Sequence, residues 1–222
     1  MRSGQHEEVA DAAQLPARLR HVLWLGGGSG AGKSTIARRL ADRYGWRLYA
    51  TDDVMGDHAA RTTAEEAPFL HRFIAMDMDQ RWVNRSPEVM LETFHWFRGE
   101  GFALIIEDLL RLPPEPRVIV EGFRLLPHLV KPLLAAPEHA VWLLPTPAFR
   151  HSAIRRRAAA GEGFVARTSD PARAGRNLAE RDRMFTARLR EETERLRLRS
   201  IEVDTAMSED DLDRRVTAAF RL

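Results

Sequence analysis

The stretch VLWLGGGSGAGKSTIARRLADRYGW, residues 22–46, decides how this chain reads. A short apolar run meets four glycines within the five residues 26–30. A lysine and a serine then follow Gly32, and a helical pattern begins. Gly27, Gly28, Ser29, Gly30, Ala31, Gly32, Lys33 and Ser34 fit G-x-x-x-x-G-K-[ST] in full. Before the motif, His21–Leu25 reads as a strand. After it, Ile36, Ala37, Leu40, Ala41 and Tyr44 recur at helical spacing and Gly45 closes the run. Glycines let successive N–H groups turn inward around phosphate oxygens, and the helix N-terminus adds partial positive charge. The pattern places Lys33 at the β- and γ-phosphates of a nucleotide and the Ser34 hydroxyl on Mg²⁺, with Thr35 beside it. Against a glycine-rich turn that merely links strand to helix, the complete motif between strand and helix favours phosphate.

Working outward, four more strands are expected at Trp46–Ala50, Arg117–Val120, Ala140–Leu144 and Ser200–Val203. Residues 54–112 read as mostly helical, with Pro68 and Pro87 at helix starts and a break at Gly99 and Gly101. Leu125–Leu134 is helical but interrupted by Pro132. The last helix starts at Ser208, with Asp211 three residues on as a capping box. Strands alternating with helices predict a three-layer α/β/α domain around a five-stranded, mainly parallel sheet. Residues 1–20 read as an N-terminal extension and 21–222 as one domain, with 54–112 a helical substrate cap and 150–177 a lid.

Composition sets broad limits. The chain has 222 residues, 30% charged and 44% hydrophobic, with a formal net charge of +2, so no global charge pulls it toward nucleic acid or membrane. It lacks cysteine, which excludes disulfides and thiol chemistry. No apolar run is long enough to span a membrane, and the N-terminus lacks the apolar core of a signal peptide. The expectation is a cytoplasmic protein, monomer or homodimer. Only Lys33 and Lys131 among the 34 basic residues are lysines, so a lysine inside the glycine loop stands out as chosen for its compact ammonium.

Carboxylates stand where open α/β sheets bind ligands, at strand ends. Thr51-Asp52-Asp53 follows the second strand, and Val118-Ile119-Val120-Glu121-Gly122 ends the third. A carboxylate there can ligate Mg²⁺ or its waters, or take a proton from a substrate hydroxyl. Alternatively, the aspartates cap the next helix and Glu121 is solvated at a strand end. A GTPase would carry an Asn-Lys-x-Asp motif, which neither lysine offers, and no strand ends in the Asp or Asp-Glu of an oligomeric ATPase.

The glycine motif, a Walker A sequence, resembles the P-loop NTPase superfamily. Taken with TDD and VIVEG, GGSGAGKST is similar to the small-molecule kinases of the uridine kinase, nicotinamide riboside kinase and phosphoribulokinase group. These motifs anchor about the first 130 residues. The resemblance implies a P-loop kinase fold that binds ATP and Mg²⁺, with Asp52 as general base and Glu121 as metal-side carboxylate; Asp53 then faces the metal waters, a cap or solvent. It also implies that Ser200–Ser208 packs near the adenine.

Residues 150–199 hold 14 arginines against 7 acidic residues. Gly161-Glu162-Gly163 reads as a flexible break, Asp170-Pro171 as a cap and first-turn proline, and a long helix follows. The segment resembles the lid of nucleoside and nucleotide kinases, whose arginines close over phosphates and exclude water. Arg155, Arg156, Arg167 and Arg181 are the candidates, against a solvated basic face or a nonspecific nucleic-acid footprint. In the cap, Arg81 and Arg85 flank Asn84 and can hold a phosphate or carboxylate on the acceptor. The aromatics around them read mainly as core. The expectation is an ATP-dependent transferase acting on a hydroxyl or phosphate of a metabolite, nucleoside or natural product. The competing class is a nucleotide-binding regulatory protein that transfers nothing.

Overall fold

The structure is a computed structural model describing residues 14–159 and 164–222, without the side chains of 154 and 156–159. Residues 1–13 of the expected extension, and the Gly161-Glu162-Gly163 break, lie outside the described residues.

Five strands, β1 (Val22–Gly27), β2 (Arg47–Ala50), β3 (Val118–Glu121), β4 (Ala140–Pro145) and β5 (Arg199–Val203), form one sheet in the order β2-β3-β1-β4-β5. Every pairing is parallel, where the sequence had allowed only for mainly parallel. Strand residues divide by parity. Val22, Trp24, Val118, Val120, Ala140, Trp142 and Leu144 enter one apolar layer. Leu23, Leu25, Ile119, Val141, Leu143 and Val203 enter the other. A strand apolar on both faces needs helices on both.

The α-helices after β1, in chain order, are α1 (Lys33–Tyr44), α2 (Met55–Ala60), α3 (Pro68–Ala75), α4 (Met78–Trp82), α5 (Pro87–Thr93), α6 (Phe102–Arg111), α7 (Pro127–Val130), α8 (Pro147–Ala159), α9 (Pro171–Leu196) and α10 (Glu209–Phe220). Helices α1 and α10 cover the second layer, while α6, α9 and the cap aromatics Trp82, Phe94 and Phe97 cover the first. Several local signals act as expected. Pro68 and Pro87 stand in the first helical turn, Asp170 caps α9 through the Arg173 N–H, and Ser208 with Asp211 forms a reciprocal capping box. The expected helix 125–134 is shorter, running Pro127–Val130 and then a 3₁₀ turn Lys131–Leu133, because Pro132 has no N–H to donate.

Two strand ends differ from the expectation in a way that shapes the site. Strand β1 continues through Gly26 and Gly27, which pair with Trp142 and Leu143. Strand β3 runs one residue later than read and ends on Glu121, in register with Leu25 and Ala50. Among the described residues, no helix is long and apolar enough to cross a membrane.

Candidate functional site at the ends of β1, β2 and β3

The glycine loop joins β1 to α1. Gly28 N–H donates to Leu143 O at 2.9 Å, tying the loop to β4. A Cβ on Gly28 would stand 2.7 Å from Thr186 Oγ1 and 2.8 Å from the Pro145 ring, so only glycine lets β4 and α9 close on the loop. Gly32 is the N-cap of α1 at φ 83°, and no side chain caps the helix. The first amides of α1 are thereby left for an anion. Lys33 is buried and donates Nζ to Gly28 O at 2.7 Å across the loop.

Ser34 Oγ donates to Glu121 Oε1 at 2.8 Å. Glu121 is 4% exposed, so it is not a solvated strand end. Burial pushes its carboxyl up; Lys33 and the Ser34 hydroxyl pull it back, and Asp52 and Asp53 push it further up. Among the described residues, no three His, Cys, Asp or Glu side chains converge as a metal cage. Mg²⁺ beside phosphates does not need one, since it takes one or two carboxylates, waters and phosphate oxygens. A buried carboxylate next to a hydroxyl, with two aspartates in electrostatic reach, suits that hard cation, and the uncapped glycine loop suits the polyphosphate.

Asp52 and Asp53 occupy an exposed turn after β2. Its root is tied to the sheet: Thr51 N–H donates to Glu121 O at 2.9 Å, and Gly122 N–H to Leu25 O at 3.2 Å. The N-cap of α2 is Val54, with no side-chain cap bond, so neither aspartate is its N-cap residue. A buried polar chain reaches the same turn from below. Asp108 accepts from Tyr49 Oη at 2.7 Å, Arg61 at 2.9 Å and His58 Nε2 at 2.8 Å. His58 Nδ1 then accepts from Arg124 at 3.0 Å, and Arg124 Nη1 donates to Thr51 O at 3.2 Å. Burial lowers the Arg124 pKa to about 10. His58, Asp108 and Arg124 escaped sequence reading; Arg124, two residues past Glu121-Gly122, carried the only local hint.

The lid candidates separate. Arg155 and Arg167 are exposed, and the Arg156 side chain lies outside the described residues. Arg181 turns inward. It is buried against Asp182 at 2.6 Å, over the rings of Trp82, Phe94 and Phe97. Arg150, not singled out from sequence, is also buried on Asp182 at 2.6 Å, and its Cγ lies 3.8 Å from a Cβ built on Gly30. The segment after the break rests on the cap, with Phe164 5.0 Å from Trp82 and Ser169 N–H donating to Asp79 at 2.8 Å. In the cap, Arg81 donates to Phe73 O and Ile74 O at the end of α3. Arg85 donates to Thr93 Oγ1 and Arg81 O.

A cleft of about 440 Å³ adjoins the loop, lined by Gly30, Gly32, Thr35, Phe149, Met207 and Leu212 among others. Its wall includes Met207 and Ser208, from the loop after β5. A larger cleft of about 730 Å³ opens between α8 and α9, but Lys33, Ser34 and Glu121 do not line it.

No family model matches this sequence, and no curated protein matches it significantly. Among solved structures, the chain is similar to an uncharacterized protein from Eubacterium ventriosum ATCC 27560. The identity is 14% and the TM-score 0.46, over 90% of this chain and 97% of that one.

Proposed function

We propose that this protein is an ATP-dependent kinase with a P-loop kinase fold, transferring the γ-phosphate to a hydroxyl of a small molecule. The observation that carries the reading is the Ser34–Glu121 hydrogen bond, 2.8 Å long, formed beside a complete glycine loop and the Asp52-Asp53 turn. Phosphate grip, metal donors and a candidate base then lie along adjoining strand ends. The amides of Gly28–Lys33 and the Lys33 ammonium would hold the polyphosphate; Ser34 and Glu121 would hold Mg²⁺. The 440 Å³ cleft has room for a nucleobase, with Phe149 and Met207 among the mixed polar and apolar residues that line it. Bound Mg-ATP supplies an electrophilic γ-phosphorus and a stabilised leaving group.

The protein's own residues do the rest. Asp52, on the turn fastened through Thr51, accepts the hydroxyl proton as the acceptor oxygen bonds to phosphorus and the bond to ADP breaks. Arg155 and Arg167, both exposed, would close over the phosphates and exclude water. The test is ATP turnover with Mg²⁺ and a panel of nucleosides, sugars, aminoglycosides, sugar phosphates and hydroxy acids. Acceptor-dependent ADP release that vanishes in folded Lys33→Ala is the expected result. Tight ATP binding with no turnover on any acceptor would instead make the protein a regulatory nucleotide binder.

A further inference from the structure

Arginine charge around the cap exceeds the acidic charge that could balance it. Four arginines, Arg85, Arg124, Arg150 and Arg181, lie in or beside the layer between cap and sheet, and the last three are at most 7% exposed. Among the described residues, Asp182 alone makes ion pairs with members of this set, binding Arg150 and Arg181. Among the described residues, no carboxylate lies within ion-pair distance of Arg85 or Arg124. Their other partners are neutral: Thr93 and a carbonyl for Arg85, His58 and two carbonyls for Arg124. Arginine cannot shed its proton to relieve the cost of burial.

Unmet polar atoms gather in the same layer. Arg85 Nε, Arg124 Nε, Arg181 Nη1 and both ring nitrogens of His95 are buried without a hydrogen-bond partner. His95 is 1% exposed and packs at a tilt against Phe94 at 4.7 Å and edge-on against Trp96 at 4.3 Å, the rings beneath Arg181 and Arg124 respectively. Burial lowers the His95 pKa, and Arg124, Arg181 and Arg81 are near enough to lower it further. Unpaired guanidinium N–H groups and an excess of fixed cations are complementary to an oxyanion. The layer also borders the proposed base, because Arg124 holds the carbonyl of Thr51, one residue before Asp52.

We infer that the acceptor is itself an anion, a small alcohol bearing a phosphate or carboxylate group seated on Arg85, Arg181 and Arg124. This rests on the kinase reading above and narrows it to anionic acceptors. It also shifts the anion contact from Arg81, whose donors go to the end of α3, toward Arg181.

The test separates the two readings. Wild-type protein saturated with Mg-ADP, which fills the glycine loop, is titrated with inorganic phosphate or acetate at constant ionic strength while melting is followed. A saturable phosphate or acetate stabilisation absent with chloride is expected, and the stronger anion names the acceptor's group. Arg85→Gln should weaken its half-saturation about tenfold or more; Arg181→Gln serves as the second variant. Paired alcohols with and without the favoured group should differ in kcat/KM by a similar factor. No saturable anion effect, an unchanged effect in Arg85→Gln, or equal use of charged and uncharged alcohols overturns the inference. If Mg-ADP fails to bind, the kinase reading falls, and the same titration in Lys33→Ala judges the cap site alone.

Discussion

Ser34 Oγ and Glu121 Oε1 stand 2.8 Å apart although 87 residues separate them in the chain. The parallel pairing of Leu25 with Glu121 brings them together, setting the end of β3 beside the start of α1. Ser34→Ala and Glu121→Gln should each raise the Mg²⁺ concentration for half-maximal turnover about tenfold or more, measured by Mg²⁺ titration at fixed nucleotide. The pH dependence has a definite sign. Burial raises the Glu121 pKa, so its proton competes with metal at a higher pH than an ordinary carboxylate's would. The Mg²⁺ requirement should rise as pH falls, and Glu121→Gln should flatten that slope. A raised carboxyl also loses stability as pH rises through its folded pKa, so metal-free Glu121→Gln should melt no lower than wild type at pH 8. A variant that melts lower, with unchanged Mg²⁺ dependence, would make Glu121 purely structural.

Asp52 and Asp53 are neighbours in the turn after β2, and the proposed reading gives the acceptor to Asp52. Asp52→Asn should lower acceptor-dependent kcat by roughly 10²–10⁴ with ATP affinity nearly unchanged. Asp53→Asn should act mainly on Mg²⁺ dependence. Steady-state kinetics with calorimetric ATP binding decide; if Asp53→Asn is the crippled variant, the base is Asp53.

Gly122 permits the contact between β2 and β3 at the site. It has φ 149°, and a Cβ there would lie 1.8 Å from Thr51 Oγ1. Gly122→Ala should cost about 2 kcal/mol or more by denaturant unfolding, from backbone strain and overlap together. Adding Thr51→Ala removes the closest atom and should recover part of the loss. Additive losses in the double variant would contradict this account.

His95 is buried among aromatics. Burial, then the charges of Arg124, Arg181 and Arg81, lower its pKa to about 3. It is therefore neutral when folded but titrates near 6.5 when unfolded. A lowered histidine contributes stability that falls as pH drops below about 6.5 toward 3. His95→Phe loses no hydrogen bond, since neither ring nitrogen has a partner, and should flatten the fall in melting temperature over that window. An unchanged slope would show that His21 and His139, also lowered by burial, carry the acid sensitivity.

The glycine loop, the alternation of strand and helix and the caps at Asp170 and Ser208 were legible in the sequence, because each depends on residues a few positions apart. Ala140–Pro145 and Lys33–Tyr44 emerged within a residue of their expected bounds for the same reason. The functional arrangement was not local. That Glu121 is the buried last residue of β3 follows from pairing with β1 and β2 on either side, which strand periodicity does not encode. From sequence, Arg181 is a lid candidate on a basic helix. Only the packing of α9 against the cap turned it inward onto Asp182 and the aromatic rings. Arg124, His58 and Asp108 come from three segments with no shared pattern, and their hydrogen bonds exist only once the cap docks on the sheet. The glycine loop's pattern lies in contiguous residues, so sequence determined it. The charge balance of the proposed acceptor site depends on long-range burial, so only the tertiary structure could decide it.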